Sequence, residues 1–244
     1  MQIEKNILQS IISKYHLGGI IEAVKWEIKQ NNLTINFNLP SGEMIGNIIY
    51  NEIGIDDTDI CINNTSQLIK LLNVINENIT VDIIKQGKTN IQLNLSDKQF
   101  KVNYVLADSM IIPKTATLND DIVFNIETEL TQDVIGSLIK AKSALPDSEV
   151  VVINYDSLSN NLSFEFGGDI DYANKISYKI HEVNTFDNVQ ELKINFNSSV
   201  IKEILSNNKD IDNGKMSLNE DGLMKLEFTK NNLVSTYFLV ARSE

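Results

Sequence analysis

The stretch INNTSQLIKLLNVIN, Ile62–Asn76, returns as INFNSSVIKEILSNN, Ile194–Asn208. In both, an Asn/Ser/Thr cluster opens an amphipathic run in which apolar side chains recur at helical spacing, ending in asparagines. A second pair lies upstream at a spacing of 129. Asn31-Asn32-Leu33-Thr34-Ile35-Asn36-Phe37 matches Asn160-Asn161-Leu162-Ser163-Phe164-Glu165-Phe166, in each case a turn followed by an alternating strand. Both copies continue in the same order, through a helix, a turn and strands that end Tyr104-Val105-Leu106-Ala107 and Phe238-Leu239-Val240-Ala241. Colinear matches of this kind are the signature of an internal repeat. The halves are residues 1–108 and 121–244, joined by SMIIPKTATLND at 109–120.

Each half reads as helix, strands, helix, strands. Helices are expected at 5–16, 65–76, 131–144 and 198–208, capped by Thr65 or Ser66, by Thr131, and by Ser198 or Ser199. Strands are expected at 22–29, 33–39, 45–53, 58–63, 79–85, 90–95 and 99–107, set apart by turn signals such as Gln30-Asn31-Asn32, Pro40-Ser41-Gly42 and Gln86-Gly87. Connections this short pair strands antiparallel, which gives an α+β fold with its helices on one side of each half.

The 244 residues carry 33 acids against 21 bases, a net charge of −12, and 42% are hydrophobic. This is globular composition, and a surface of that sign repels phosphate in general. One cysteine, Cys61, and two histidines, His16 and His181, leave no metal-ligand cluster and no intramolecular disulfide. No 18-residue apolar run and no signal-peptide core occurs, so a soluble, intracellular, cytoplasmic protein is expected, without membrane association or cofactor.

The helices break the charge trend. Leu68, Leu71, Leu72 and Ile75 share one face with Lys70 opposite; Val134, Leu138 and Ala141 oppose Lys140; Ile201, Ile204 and Leu205 oppose Lys202. On the first helix Ile7, Ile11, Ile12 and Tyr15 form the apolar face, with Lys5 and Lys14 flanking the other. Over 5–16, 65–76, 131–144 and 198–209 seven lysines (5, 14, 70, 140, 142, 202 and 209) meet only Asp133 and Glu203. That is +5 on the helices and −17 elsewhere, a division that fits one surface meant for phosphate.

A duplicated α+β domain with basic helix faces resembles the sliding DNA clamps, ring-shaped polymerase processivity factors that include proliferating cell nuclear antigen and the clamps of tailed phages. The resemblance spans the whole chain. The connector opening Ala107-Asp108-Ser109-Met110-Ile111-Ile112-Pro113-Lys114 looks more like that of bacteriophage clamps than of cellular ones. The resemblance implies helices on the inner face and antiparallel sheets on the outer face of a ring, closed as a head-to-tail homotrimer by strand edges near Leu106–Asp108 and after Glu149. It implies duplex DNA bound without sequence preference by Lys70, Lys140 and Lys202, with Lys5, Lys14, Lys142 and Lys209 as weaker contacts. It also implies a clamp loader, and a polymerase C-terminal peptide docked on Ile111, Ile112 and Pro113, with Leu39, Pro40, Met44, Ala241 and Arg242. The competing expectation is a duplicated β-rich viral structural or interaction protein without DNA binding.

No catalytic constellation competes. Gly87-Lys88-Thr89 imitates the end of a phosphate loop, but position 82 is Asp where glycine is required. Ser137-x-x-Lys140 and Ser199-x-x-Lys202 lack the companion motifs of acyl-transfer enzymes. Asp56, Asp57 and Asp59 read as a solvated loop. A non-enzymatic protein is expected.

Overall fold

The structure is a computed structural model and describes residues 2–76, 78–116, 122–167, 174–181, 183–186, 189 and 191–242. The chain forms two compact units. Unit 1 comprises Met1–Leu39, Ile45–Ala116 and Asn232–Ser235, and unit 2 comprises Pro40–Met44, Thr117–Asn231 and Thr236–Glu244. Of the expected connector, residues 109–116 fall in unit 1, and 117–120 lie outside the described residues.

The first copy runs β1 (Gln2–Glu4), α1 (Lys5–His16), β2 (Val24–Lys29), β3 (Asn32–Asn38), β4 (Met44–Asn51), β5 (Thr58–Ile62), α2 (Thr65–Val74), β6 (Asn78–Gln86), β7 (Thr89–Ser96) and β8 (Lys101–Val105). The second runs β9 (Ile126–Glu129), α3 (Gln132–Ala144), β10 (Val150–Asp156), β11 (Asn161–Phe166), β12 (Ile176–Ile180), β13 (Val183–Thr185), β14 (Glu191–Asn197), α4 (Ser198–Asn207), β15 (Asn213–Leu218), β16 (Leu223–Lys230) and β17 (Leu233–Val240). The order of types is the same apart from the insertion of β13.

Pairing repeats as well. In the first copy β5-β2-β3-β4 and β1-β6-β7-β8 are antiparallel neighbours. In the second, β14-β10-β11-β12 and β9-β15-β16-β17 follow the same orders, and β13 adds an edge beside β9. The turn signals work through backbone shape. Gln30 and Asn31 both take positive φ between β2 and β3, Asn160 does so before β11, and Gly87 at φ 61 turns β6 into β7.

Each unit buries strand residues of alternate positions beneath its helices. In unit 1 Tyr15 on α1 is fully buried, its ring 6.5 Å from that of Trp26 on β2 and 6.3 Å from that of Phe37 on β3. Gly46 on β4 faces Phe37, whose ring covers the glycine where a Cβ would stand. In unit 2 Phe228 and Tyr237 pack edge to face at 6.1 Å.

Two of the expected helix caps are corrected. Thr131 does cap α3, its hydroxyl accepting from the Val134 N–H at 3.3 Å. On α2 the cap is Asn64, whose side-chain oxygen accepts from Gln67 N–H at 2.8 Å, and on α4 it is Asn197, which accepts from Ser199 and Val200 N–H. Thr65 and Ser198 sit one residue inside and turn inward. The Thr65 hydroxyl donates to the Glu22 carbonyl at 2.9 Å, and the Ser198 hydroxyl donates to the Ser148 carbonyl at 2.5 Å. The polar anchoring of the second helix is therefore duplicated along with the fold.

Candidate nucleic-acid interface

In unit 1, α1 and α2 turn their apolar faces to the sheets and leave polar faces to solvent. Leu8, Ile11, Ile12 and Tyr15 are buried on α1, Leu68 and Leu72 on α2, and Lys70 is exposed on the opposite side of α2. Neither helix carries an acid. Gln9 Nε2 donates to Asn73 Oδ1 at 3.1 Å, joining the two helices. Lys5, half-buried, donates through Nζ to the Ile75 carbonyl at 2.7 Å, so its charge serves the open C-terminal end of α2.

In unit 2, Ile135, Leu138 and Ala141 are buried on α3, and Val200, Ile201, Ile204 and Leu205 on α4. Lys140 and Lys209 are exposed and Lys202 is half-buried. The acids of this pair are Asp133 in the first turn of α3, where the helix dipole favours it, and Glu203 on α4. Gln132 Nε2 donates to the Ile211 carbonyl at 2.9 Å, the bond that Lys5 supplies in the first copy. Among the described residues Lys70, Lys140, Lys202 and Lys209 make no ion pair, so their charge is uncommitted.

Two of the expected contacts are not on a surface at all. Lys14 is 3% exposed and Lys142 4% exposed. Lys142 Nζ donates to the carbonyls of Pro146 and Ser148, both at 2.7 Å, and at 3.5 Å to that of Leu145. Burial, with Lys202 nearby, lowers its pKa. The cause is helix phase: the buried stripe of α3 is centred on Ile135, Leu138 and Ala141, one position on from the expected Val134, which swings Lys142 inward. With both Val134 and Ile135 apolar, helical spacing permits either phase. Lys142 lies seven residues after Ile135, an apolar position, and Lys14 holds the corresponding place at the end of α1. Without these two, five lysines face two acids over the four helical stretches, a balance of +3 in place of +5.

The expected peptide-docking residues divide between the units. Ile111, in a 3-10 turn Ser109–Ile111 opened by Asp108, is 60% exposed beside Met110 at 86%; Ile112 is half-buried and Pro113 exposed. In unit 2 Pro40 is exposed, and Ala241 and Arg242 are half-buried. Arg242 donates to Glu43 at 3.4 Å and lies 3.6 Å from Glu149, while its N–H donates to the Asn195 carbonyl. Leu39 and Met44 are corrected. At 6% and 0% exposure they are core side chains that have no surface to offer a partner.

Among the described residues there is no group of three or more His, Cys, Asp or Glu side chains fit to hold a metal, and no helix is long and apolar enough to cross a membrane.

The duplicated pair of two-helix, two-sheet units is also the arrangement of known structures. Proliferating cell nuclear antigen from Entamoeba histolytica superposes with a TM-score of 0.78 at 14% identity, over 99% of this chain and 98% of that one. The chain has the sliding-clamp fold. The A. fulgidus clamp, solved with the C-terminal region of FEN-1 bound, gives 0.78 at 16% identity over 100% and 98% of the two chains. A clamp subunit of the PCNA2–PCNA3 complex from Sulfolobus tokodaii gives 0.74 at 11% over the full length of both. Neither a protein-family model nor a curated protein matches the sequence.

Proposed function

We propose that this protein is a sliding clamp that encircles duplex DNA and tethers a replicative DNA polymerase, a scaffold that confers processivity and performs no chemistry itself. The observation that carries the proposal is the repetition, in both units of a clamp fold, of a helix pair whose solvent face holds lysines without ion pairs. Such a face makes screened, sequence-independent phosphate contacts, and a closed ring needs nothing tighter, because topology retains it. The lysines assigned to DNA are Lys70, Lys140, Lys202 and Lys209, with Lys5 in a lesser part.

Two copies of the domain per chain, 1–108 and 121–244 with 109–120 as connector, call for a head-to-tail homotrimer, a heterologous interface whose rotation closes. Strands β8 and β12 are the edges that support it. By the register, Leu106 and Ile91 form a hydrogen-bonded pair, so the alternate residues Lys101, Asn103 and Val105 turn their N–H and C=O groups away from β7. Val105 is 73% exposed there. Strand β12 ends its own sheet in unit 2 and is five residues long, like β8. Pairing β8 of one copy with β12 of the next satisfies both edges.

The polymerase's C-terminal peptide docks at the connector, where Met110 and Ile111 are apolar and uncovered. A loader opens the ring. The Ala107–Pro113 opening, which resembles that of bacteriophage clamps, supports a viral clamp at work in the host cytoplasm.

Light scattering and negative-stain imaging test the assembly: three times 27.5 kDa and a ring with a hole wide enough for duplex are expected. Lys70→Glu, Lys140→Glu and Lys202→Glu together should cut processive synthesis and leave the ring intact. A clean monomer at micromolar concentration defeats the ring, and undiminished processivity removes DNA from these faces.

A further inference from the structure

Of the two Ser-x-x-Lys pairs that lack the companions of acyl-transfer enzymes, the clamp reading uses only the lysines. Ser137 stands three residues before Lys140 on α3, and Ser199 three before Lys202 on α4. On α2, Gln67 holds the same place before Lys70. Lys70 and Lys202 are matching positions of the internal repeat, and so are Gln67 and Ser199. The side chain has changed from amide to hydroxyl between the copies; what both keep is a neutral donor one turn ahead of a lysine.

Residues three apart on a helix are neighbours, with Cβ atoms about 5–6 Å apart. Gln67, Lys70, Lys140 and Ser199 are exposed and Ser137 and Lys202 half-buried, so both members of each pair reach solvent. A helical serine can satisfy its hydroxyl on a carbonyl of the preceding turn. Ser13 on α1 does so, donating to the Ser10 carbonyl at 2.8 Å. Ser137 and Ser199 make no side-chain hydrogen bond among the described residues, and neither does the Gln67 amide, whose residue is held only through its main-chain N–H. Each lysine thus has an unpaired donor beside it.

The chemistry of the pair selects its occupant. Acyl transfer needs an amine placed to take the proton of the hydroxyl, whereas Lys140 lies out in water. A phosphodiester carries one negative charge shared by two free oxygens. One ammonium neutralises that charge, and one neutral donor serves the second oxygen. The acids of these helices, Asp133 and Glu203, stand outside the pairs.

We propose that Gln67 with Lys70, Ser137 with Lys140, and Ser199 with Lys202 are two-point grips on backbone phosphates: the ammonium pairs with one free oxygen, and the hydroxyl or amide donates to the other. The inference rests on these helix faces being the DNA surface, and it adds the neutral half of each contact. Hydroxyl and amide donors to phosphate carry no sequence information, so sliding is preserved. They also displace no counterion, so their share of the affinity survives salt that weakens the lysines.

The test titrates the full chain into a short fluorescein-labelled duplex and reads anisotropy over a salt series. Gln67→Ala, Ser137→Ala and Ser199→Ala together should weaken binding at least roughly tenfold at every salt concentration, with circular dichroism and the slope of log K against log salt unchanged. Lys70→Gln, Lys140→Gln and Lys202→Gln together should weaken binding and also reduce that slope by about 2.7 per chain, at about 0.9 for each phosphate charge contact. Ser157→Ala, which removes an exposed hydroxyl in the β10–β11 turn, should change neither. Binding that weakens with the lysine triple but not with the alanine triple overturns the grips and leaves the DNA surface standing. Binding that is absent from the unaltered protein, or indifferent to both triples, removes the DNA surface and the grips with it. An alanine triple that flattens the salt slope as the lysine triple does, or a loss that Ser157→Ala reproduces, also overturns the proposal.

Discussion

Replacing Lys142 by methionine separates the two accounts of that residue. The side chain keeps its apolar stem and loses the ammonium that holds the Pro146 and Ser148 carbonyls at 2.7 Å. Hydrogen bonds from a charged donor contribute about 1.5–3 kcal/mol each. Ser148 keeps another donor in the Ser198 hydroxyl, so the bond to Pro146 is the one lost without replacement. Against this stands relief of the desolvated charge, which returns part of the loss. A net destabilisation of about 2 kcal/mol follows, and at this chain length it lowers Tm by roughly 4–8 °C. Scanning calorimetry on the variant, beside Lys140→Met as an exposed control, measures it. DNA retention should change with Lys140 and hold with Lys142 at temperatures where both are folded. An unshifted Tm for Lys142→Met, together with a DNA defect matching that of Lys140→Met, would refute the buried-latch reasoning. Lys14→Met repeats the test in unit 1, where the same position is buried.

Val105→Pro removes an N–H directed away from β7, so it should spare unit 1 and lower the light-scattering mass from three times 27.5 kDa toward 27.5 kDa; an intact trimer would exclude β8 as an interface strand. Gly46→Ala sets a methyl against the Phe37 ring and should cost about 1–3 kcal/mol in urea unfolding, with no loss expected only if the ring finds another rotamer. Asn197→Ala should cost about 1 kcal/mol as the loss of a helix cap, while Ser199→Ala stays within about 0.5 kcal/mol. Asp97 accepts backbone N–H bonds from Asn76, Phe100 and Gln99, which hold its pKa at about 2 against 3.8. The folded pKa is depressed, so its contribution is present above pH 3.8 and is lost as pH falls toward 2; Asp97→Asn should flatten the acid limb of a stability–pH curve over that window.

Duplication, four helices and the strand meander were all legible in the sequence, because each rests on local signals. The pairs Asn31/Asn160 and Lys70/Lys202 recur in register, apolar residues mark helical and strand periods, and Gln30-Asn31 and Gln86-Gly87 supply the positive φ that tight turns need. What the chain by itself could not decide was the rotation of a helix about its own axis. A change of one position separates a lysine that faces solvent from one that laces a loop, and only packing of Ile135 and Leu138 against the sheets places Lys142 inside. Caps show the same limit. Asn64, Thr65 and Ser66 all have the chemistry, and tertiary acceptors at Glu22 select Thr65 for the interior and Asn64 for the cap. Leu39 and Met44 look like groove residues until strand alternation turns them inward. Sequence determines elements through neighbours along the chain; side-chain accessibility is a property of neighbours across it, and function at a surface depends on the latter.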